Sequence, residues 1–179
     1  PEMVSGLHLA KIKRYFLNNQ FQKILIEKES NRVVSQKEIK TVGILTTDEI
    51  SNWVNVKEEV EKLLNLTNAK IYSFRSHKKH HEVSYEHFSE KDFSWNGNIN
   101  QPNLKSFIDE PFDLLIGYFN KKNLYLENAV LQSKATFKVG ISKVNQKLYD
   151  IEIAEVPIKT DKFLLELKKY LRILKKIKN

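Results

Sequence analysis

The chain has 179 residues, 41% of them hydrophobic, which is enough for one domain with a real core and excludes wholesale disorder. It has no cysteine, so disulfides, thiolate chemistry and cysteine-type zinc sites are impossible, and a reducing cytoplasm is the simplest compartment to expect. The net charge of +8 is mostly Lys, since Arg14, Arg32, Arg75 and Arg172 are the only arginines among 30 basic residues.

That charge is unevenly placed. Residues 1–40 carry a net +4 and residues 159–179 a net +6, which leaves the middle slightly acidic. A coding bias toward Lys explains part of the total but not this asymmetry. No apolar run approaches the roughly 20 residues needed to span a bilayer, and the opening residues lack a signal-peptide core.

In chain order, residues 7–28 are predicted to form an amphipathic helix. Leu9, Ile12, Phe16, Phe21, Ile24 and Leu25 recur near helical spacing, with Lys11, Lys13, Arg14 and Lys23 between them. Such a helix either packs its stripe on its own domain or serves as a basic arm for RNA or a membrane surface. Residues 29–40 read as a polar linker, so residues 1–40 form a basic helix with its linker and residues 41–179 a single domain. Lys40–Thr47 is the first strand, ending in Thr46-Thr47-Asp48, whose side chains suit a helix N-cap. Val54–Leu66 follows as a helix, and Ala69–Phe74 as a second strand.

Residues 75–103 are irregular. Val83–Phe88 and Phe93–Trp95 alternate weakly, as short strands or an excursion over a sheet edge, and Asn96-Gly97 signals a turn. Leu104–Ile108 is a short helix. The most strongly patterned stretch is Phe112–Ser142. There an apolar run, a polar corner at Asn120–Asn123, a helix through Leu124, Leu126 and Val130, and a second apolar run from Phe137 to Ile141 follow one another. Short unalternating runs around one helix predict two buried parallel strands joined by a crossover. Tyr149–Val156 alternates as a further strand. The last helix is expected over Lys162–Lys178, capped by Thr160 or Asp161 and striped by Phe163, Leu164, Leu167, Tyr170, Leu171, Leu174 and Ile177. The order predicts an α/β fold: an open, mostly parallel, Rossmann-like sheet with helices on both faces.

The chemistry is defined largely by exclusion. Gly6, Gly43, Gly97, Gly117 and Gly140 are never two apart, so there is neither a dinucleotide fingerprint nor a phosphate-cradling loop. No G-x-S-x-G elbow exists. His77, His80, His81 and His87, with Glu82 and Glu86 among them, have the ligand types for zinc or nickel but not the spacing of a protease or deaminase site. No catalytic residue, cofactor or metal is assigned. In sheets of this class ligands sit beyond the carboxyl ends of the strands. Those ends are expected at Thr46, Thr47 and Asp48, at Arg75 with Ser76 and His77, at Tyr118 and Asn120, and at Ser142 with Lys143.

Four segments, KTVGIL, FSEKDFSWNG, FDLLIGYFNKKNLYLENAVLQSKATFKVG and LKKYLRILKKI, resemble an uncharacterised family of small bacterial proteins over about residues 10–178. That resemblance implies no activity. More distantly, Phe112-Asp113-Leu114 and Lys138-Val139-Gly140 resemble the strand starts in the amino-terminal Rossmann-like half of heptosyltransferase-type glycosyltransferases. The chain ends where the sugar-nucleotide half would begin, so no catalytic residue transfers.

The leading functional expectation is a non-catalytic cytoplasmic module. Its basic terminal helices would contact RNA or a ribonucleoprotein through Lys11, Lys13, Arg14, Lys169, Arg172, Lys175 and Lys176. The alternatives are a nucleotide or sugar-nucleotide crevice at Thr46, Thr47, Asp48, Arg75, Asn120 and Ser142, and a structural subunit that docks on a protein partner.

Overall fold

A computed structural model describes residues 2–77 and 86–178, with side chains from Gly6 onward. Six strands form one sheet: β1 (Val42–Thr47), β2 (Lys70–Phe74), β3 (His87–Phe88), β4 (Leu114–Tyr118), β5 (Lys138–Ile141) and β6 (Ile151–Ile153). Their spatial order is β3-β2-β1-β4-β5-β6, and every neighbouring pair is parallel. This is the doubly wound order, in which the chain reverses its direction of travel between β1 and β4. β4 is buried at every residue, and β1 at all but its last. Their continuous apolar sequences follow from cover on both faces.

Helices α1 (Glu2–Ser30), α2 (Asp48–Trp53), α3 (Val56–Leu64), α4 (Pro102–Asp109), α5 (Leu124–Gln132) and α6 (Thr160–Ile173) supply that cover. Because β1 to β2 and β4 to β5 travel in opposite directions, right-handed crossovers place α3 and α5 on opposite faces. The packing agrees: α6 lies against α3, whereas α1 and α4 lie against α5. The two basic terminal helices are therefore separated by the sheet.

α1 is about 43 Å long and runs beside α5 in the same direction, from the carboxyl ends of the strands toward their amino ends. The stripe it buries is Leu17, Phe21 and Leu25, with Ile24 half-buried, all joined to the sheet's own core. Of the expected stripe, Leu9 and Phe16 point outward instead, and Phe16 stacks on Trp95 with ring centroids 6.0 Å apart. α1 is thus one layer of the domain.

The motifs around β4 and β5 have structural roles at this level. Gly117 and Gly140 face each other across β4 and β5, and the Tyr149 ring lies on the flat strip they leave. A Cβ at either position would overlap that ring. β6 covers only Ile151–Ile153, not Tyr149–Val156, and the turn before it directs Tyr149 inward. At the amino end of the sheet, Asp113 accepts hydrogen bonds from Lys40 N at 2.9 Å, Thr41 N at 3.1 Å and Thr41 Oγ1 at 3.2 Å, and pairs with Lys37 at 3.3 Å. Burial alone would raise its carboxyl, but these partners hold it below the usual range.

Several expected boundaries move. An extra short helix, α2, directly follows β1, capped by Thr47. α6 ends at Ile173, not Lys178, because Lys175 takes a left-handed φ of 55° and turns the chain inward. Neither Thr160 nor Asp161 caps it; the Thr160 hydroxyl donates to Pro157 O at 3.1 Å. Phe93 makes only an isolated antiparallel bridge to Ile99, while Gly97 turns at φ 86° as its Asn-Gly signal predicts. Of the expected strand Val83–Phe88, the first three residues lie outside the described ones.

Candidate functional site

The carboxyl ends of the strands carry a dense set of polar side chains, most of them engaged locally. Thr46 Oγ1 donates to Tyr118 O at 2.7 Å, tying β1 to β4. Thr47 accepts from Ile50 N at 3.2 Å as the cap of α2. Asp48 accepts from Arg75 Nε at 3.3 Å, lies 2.9 Å from His87 Nε2, and Arg75 itself reaches His87. Burial pushes the Asp48 carboxyl up, but Arg75 and His87 outweigh it and hold the pKa low. Ser142 and Lys143 both take left-handed φ, 71° and 47°, and Ser142 N donates to Ile153 O at 2.8 Å. Asn120 is exposed in the bend after β4.

Thr46, Thr47, Asp48, Arg75, Asn120 and Ser142 were expected to line one crevice, yet none of them lines the cleft the structure forms at this end. The side chains of Thr46, Thr47, Asp48 and Arg75 are occupied by caps, pairs and strand ties. The β1–α2 corner, where folds of this order hold a phosphate, places Asp48 and Glu49 in the first helical turn. Two carboxylates there repel an anion that the helix terminus would otherwise attract.

The cleft lies one step over, between the amino-terminal half of α1 and the start of α5, with a volume of about 440 Å³. Leu7, Ala10, Lys11 and Arg14 form its α1 wall, spaced so that they share one helix face. Opposite stand Phe74 and Tyr125, whose rings stack 5.9 Å apart and 5° from parallel, with Lys122 beside them. Lys11, Arg14 and Lys122 make no ion pair among the described residues, so three cations face one cavity whose lining holds a single carboxylate, Glu90. At its margin Glu90 accepts from the Ser76 hydroxyl at 3.0 Å and pairs with His77, while its Oε2 is buried without a hydrogen-bond partner. Burial would raise the Glu90 carboxyl; its own backbone N–H, His77 and Ser76 hold it below its ordinary value. The α5 terminus contributes little to an anion. Asn123 Oδ1 already accepts from Tyr125 N and Leu126 N, and Glu127 Oε2 from Asn123 N.

Of the seven cations expected to form one basic surface, Lys11 and Arg14 meet in this cleft. Lys13 instead donates to Glu90 O at 3.2 Å. Lys169, Arg172 and Lys175 are exposed on α6 or just beyond it, on the other side of the sheet. Lys176 is 1% exposed, donates to Ser35 O at 2.6 Å and sits 4.3 Å over the Phe137 ring. It anchors the linker and is no surface contact. The sheet's thickness and the inward turn at Lys175 are why the single surface does not form.

The α1 wall of the cleft has a signal in the sequence. Leu7, Ala10, Arg14, Leu17, Phe21, Ile24 and Lys28 recur at alternating steps of three and four, the spacing of one helix face. The charged members sit where that face leaves the core.

His77 and His87 turn to different carboxylates, Glu90 and Asp48, while His80 and His81 lie outside the described residues. Among the described residues no three His, Cys, Asp or Glu side chains come together as a metal group, and no helix is long and apolar enough to cross a membrane. No curated protein and no solved structure matches the chain, so the heptosyltransferase-like pairing of Phe112-Asp113-Leu114 with Lys138-Val139-Gly140 is not shown. The model of a family of unknown function, DUF6913, matches residues 13–174, which take in the whole sheet and most of α1, and the chain belongs to that family.

Proposed function

We propose that the protein is a non-catalytic binding module whose cleft between α1 and α5 takes a phosphorylated ligand of nucleotide size. The observation that carries this is the convergence of Lys11, Arg14 and Lys122 on one cavity with a stacked Phe74–Tyr125 wall. Phosphate oxygens suit the three cations. A flat ring suits the aromatic wall, and a ligand hydroxyl or amine suits the unpartnered Glu90 Oε2. The test is thermal unfolding with nucleoside mono- and diphosphates. Ligand at about 100 times Kd stabilises by about 2.7 kcal/mol and raises Tm by roughly 5–10 °C for a chain this size. The double variant Lys11→Glu/Arg14→Glu should lose the shift while its own Tm stays near wild type. No shift with any nucleotide would overturn the assignment.

A second reading, single-stranded RNA, is supported by a different observation. Phe16 and Trp95 stack on each other while 52% and 45% exposed, and Lys23 lies two turns along the same flank of α1. Exposed aromatics beside cations are the platform single strands use. RNA retention that falls steeply between about 50 and 200 mM salt and is lost in Trp95→Ala supports it; retention unchanged by that variant does not.

A further inference from the structure

At the opposite end of α1 a second cavity, of about 240 Å³, lies where the C-terminus of α5 meets the start of β5. Lys28, Arg32 and Lys138 all line it, with Asp150 as the one carboxylate on its wall. Lys28 and Lys138 donate to the same carbonyl, Leu131 O, at 2.7 and 3.4 Å, so their nitrogens lie within about 6 Å of each other. Lys138 also donates to Val130 O at 2.6 Å. Arg32 donates to the carbonyls of Tyr149 and Lys147, and its guanidinium is 3.9 Å from Asp150. Asp150 is itself partly committed, since its Oδ2 accepts from Lys138 N at 2.8 Å.

Three cations thus share one carboxylate around a cavity that reaches the surface. The carbonyls at the end of α5 attract them and explain part of the gathering. They do not use all the donors: Lys28 has two N–H bonds beyond the one it makes to Leu131, and Lys138 one beyond its two. Ser133 and Thr136 lie on the same wall. Several donors, an excess of positive charge and a small volume together describe a receptor for a compact oxyanion.

We infer that this cavity is a second anion site, separate from the cleft, that takes a phosphate group between Lys28, Arg32 and Lys138. The state of Lys138 is in keeping with this. Burial first, then the neighbouring Lys28 and Arg32, lower its pKa to about 7, with Asp150 opposing them. A bound anion reverses that balance and returns the full charge to Lys138.

The probe is inorganic phosphate, with glycerol phosphate in a parallel arm, titrated at constant ionic strength and read by calorimetry and by Tm. The Lys11→Glu/Arg14→Glu variant removes the cleft from the measurement. Binding that persists in that variant and weakens about tenfold or more in Lys28→Gln and in Arg32→Gln supports the site. Lys28 is an exposed residue, so Lys28→Gln keeps the test sound if Arg32→Gln fails to fold. Whichever of the two probes binds more tightly identifies free phosphate or a phosphomonoester as the source. Binding lost in Lys11→Glu/Arg14→Glu but unchanged in Lys28→Gln would place all of it in the cleft and overturn the second site, as would no binding at all.

Discussion

The two ends of α1 use the same residue types in opposite ways. At its start, Lys11 and Arg14 line an open cleft and bond to nothing among the described residues. Near its end and in the linker beyond, Lys28 and Arg32 donate to carbonyls of α5 and of the turn before β6. The difference follows from what the helix passes over. Its start overhangs the carboxyl ends of the strands, where α5 begins and its amides are already capped. Its end lies over the C-terminus of α5, where bare carbonyls need donors. A Lys at the second place donates to backbone carbonyls of the fold, and a Lys at the first does not. Net charge alone hides this distinction.

The sharpest way to break the comparison is to remove a committed group at the amino end of the sheet. Asp113→Ala leaves the Lys40 and Thr41 amides without their acceptor and should cost about 3 kcal/mol in urea unfolding. The effect should depend on pH with a definite sign. The folded pKa of Asp113 is lowered, so its contribution is present above the ordinary Asp value and lost as pH falls through the lowered one. Wild type and Asp113→Ala should therefore differ by a constant amount above about pH 5 and converge below about pH 4. A gap that persists at low pH would mean that the carboxylate charge is not what holds β1 to β4.

Lys176→Met comes next. It keeps most of the stem but removes the ammonium that binds Ser35 O and sits over Phe137, and should cost about 2 kcal/mol. Lys169→Met and Arg172→Met, on the exposed side of the neighbouring helix, should stay within about 0.5 kcal/mol of wild type. Equal effects at all three positions would return Lys176 to the surface. In the cleft, Lys11→Ala and Lys122→Ala should likewise change stability by no more than about 0.5 kcal/mol while weakening nucleotide binding. Loss of binding with loss of stability would show that these lysines hold the fold.

The legibility of the sequence follows the same division. The strands β1, β4 and β5 and helix α5 were readable because Val42–Thr47, Phe112–Phe119 and Phe137–Ile141 are buried on both faces and so are apolar without alternation. The face of α1 was misread because its sequence carries two apolar stripes. Only packing decides that Leu17, Phe21 and Leu25 go in and that Leu9 and Phe16 stay out. Lys176 was unreadable for a backbone reason. One left-handed residue, Lys175, turns a segment that continues the helical pattern as far as Ile177. The cleft is not legible in the sequence because the strongest local polar signal lies in strand-end residues that serve caps. Its real lining comes from elements far apart in sequence, and nothing local links Arg14 to Lys122 or Phe74.

The last effect concerns Lys138 and tests the amino-end cavity through its pH dependence. Its pKa is about 7 in the folded state and that of an ordinary Lys when unfolded. Between these two values the unfolded chain binds a proton that the folded chain does not, so stability from this group rises with pH across that window and is flat below it. Lys138→Met carries no such proton. In phosphate-free, low-salt buffer the Tm of wild type should therefore gain on that of Lys138→Met as pH rises from about 7 toward 10, and inorganic phosphate near pH 7 should narrow the gap. Two Tm curves that stay parallel across that range would mean that Lys138 keeps its proton through the α5 carbonyls alone. The three cations would then need no anion to balance them.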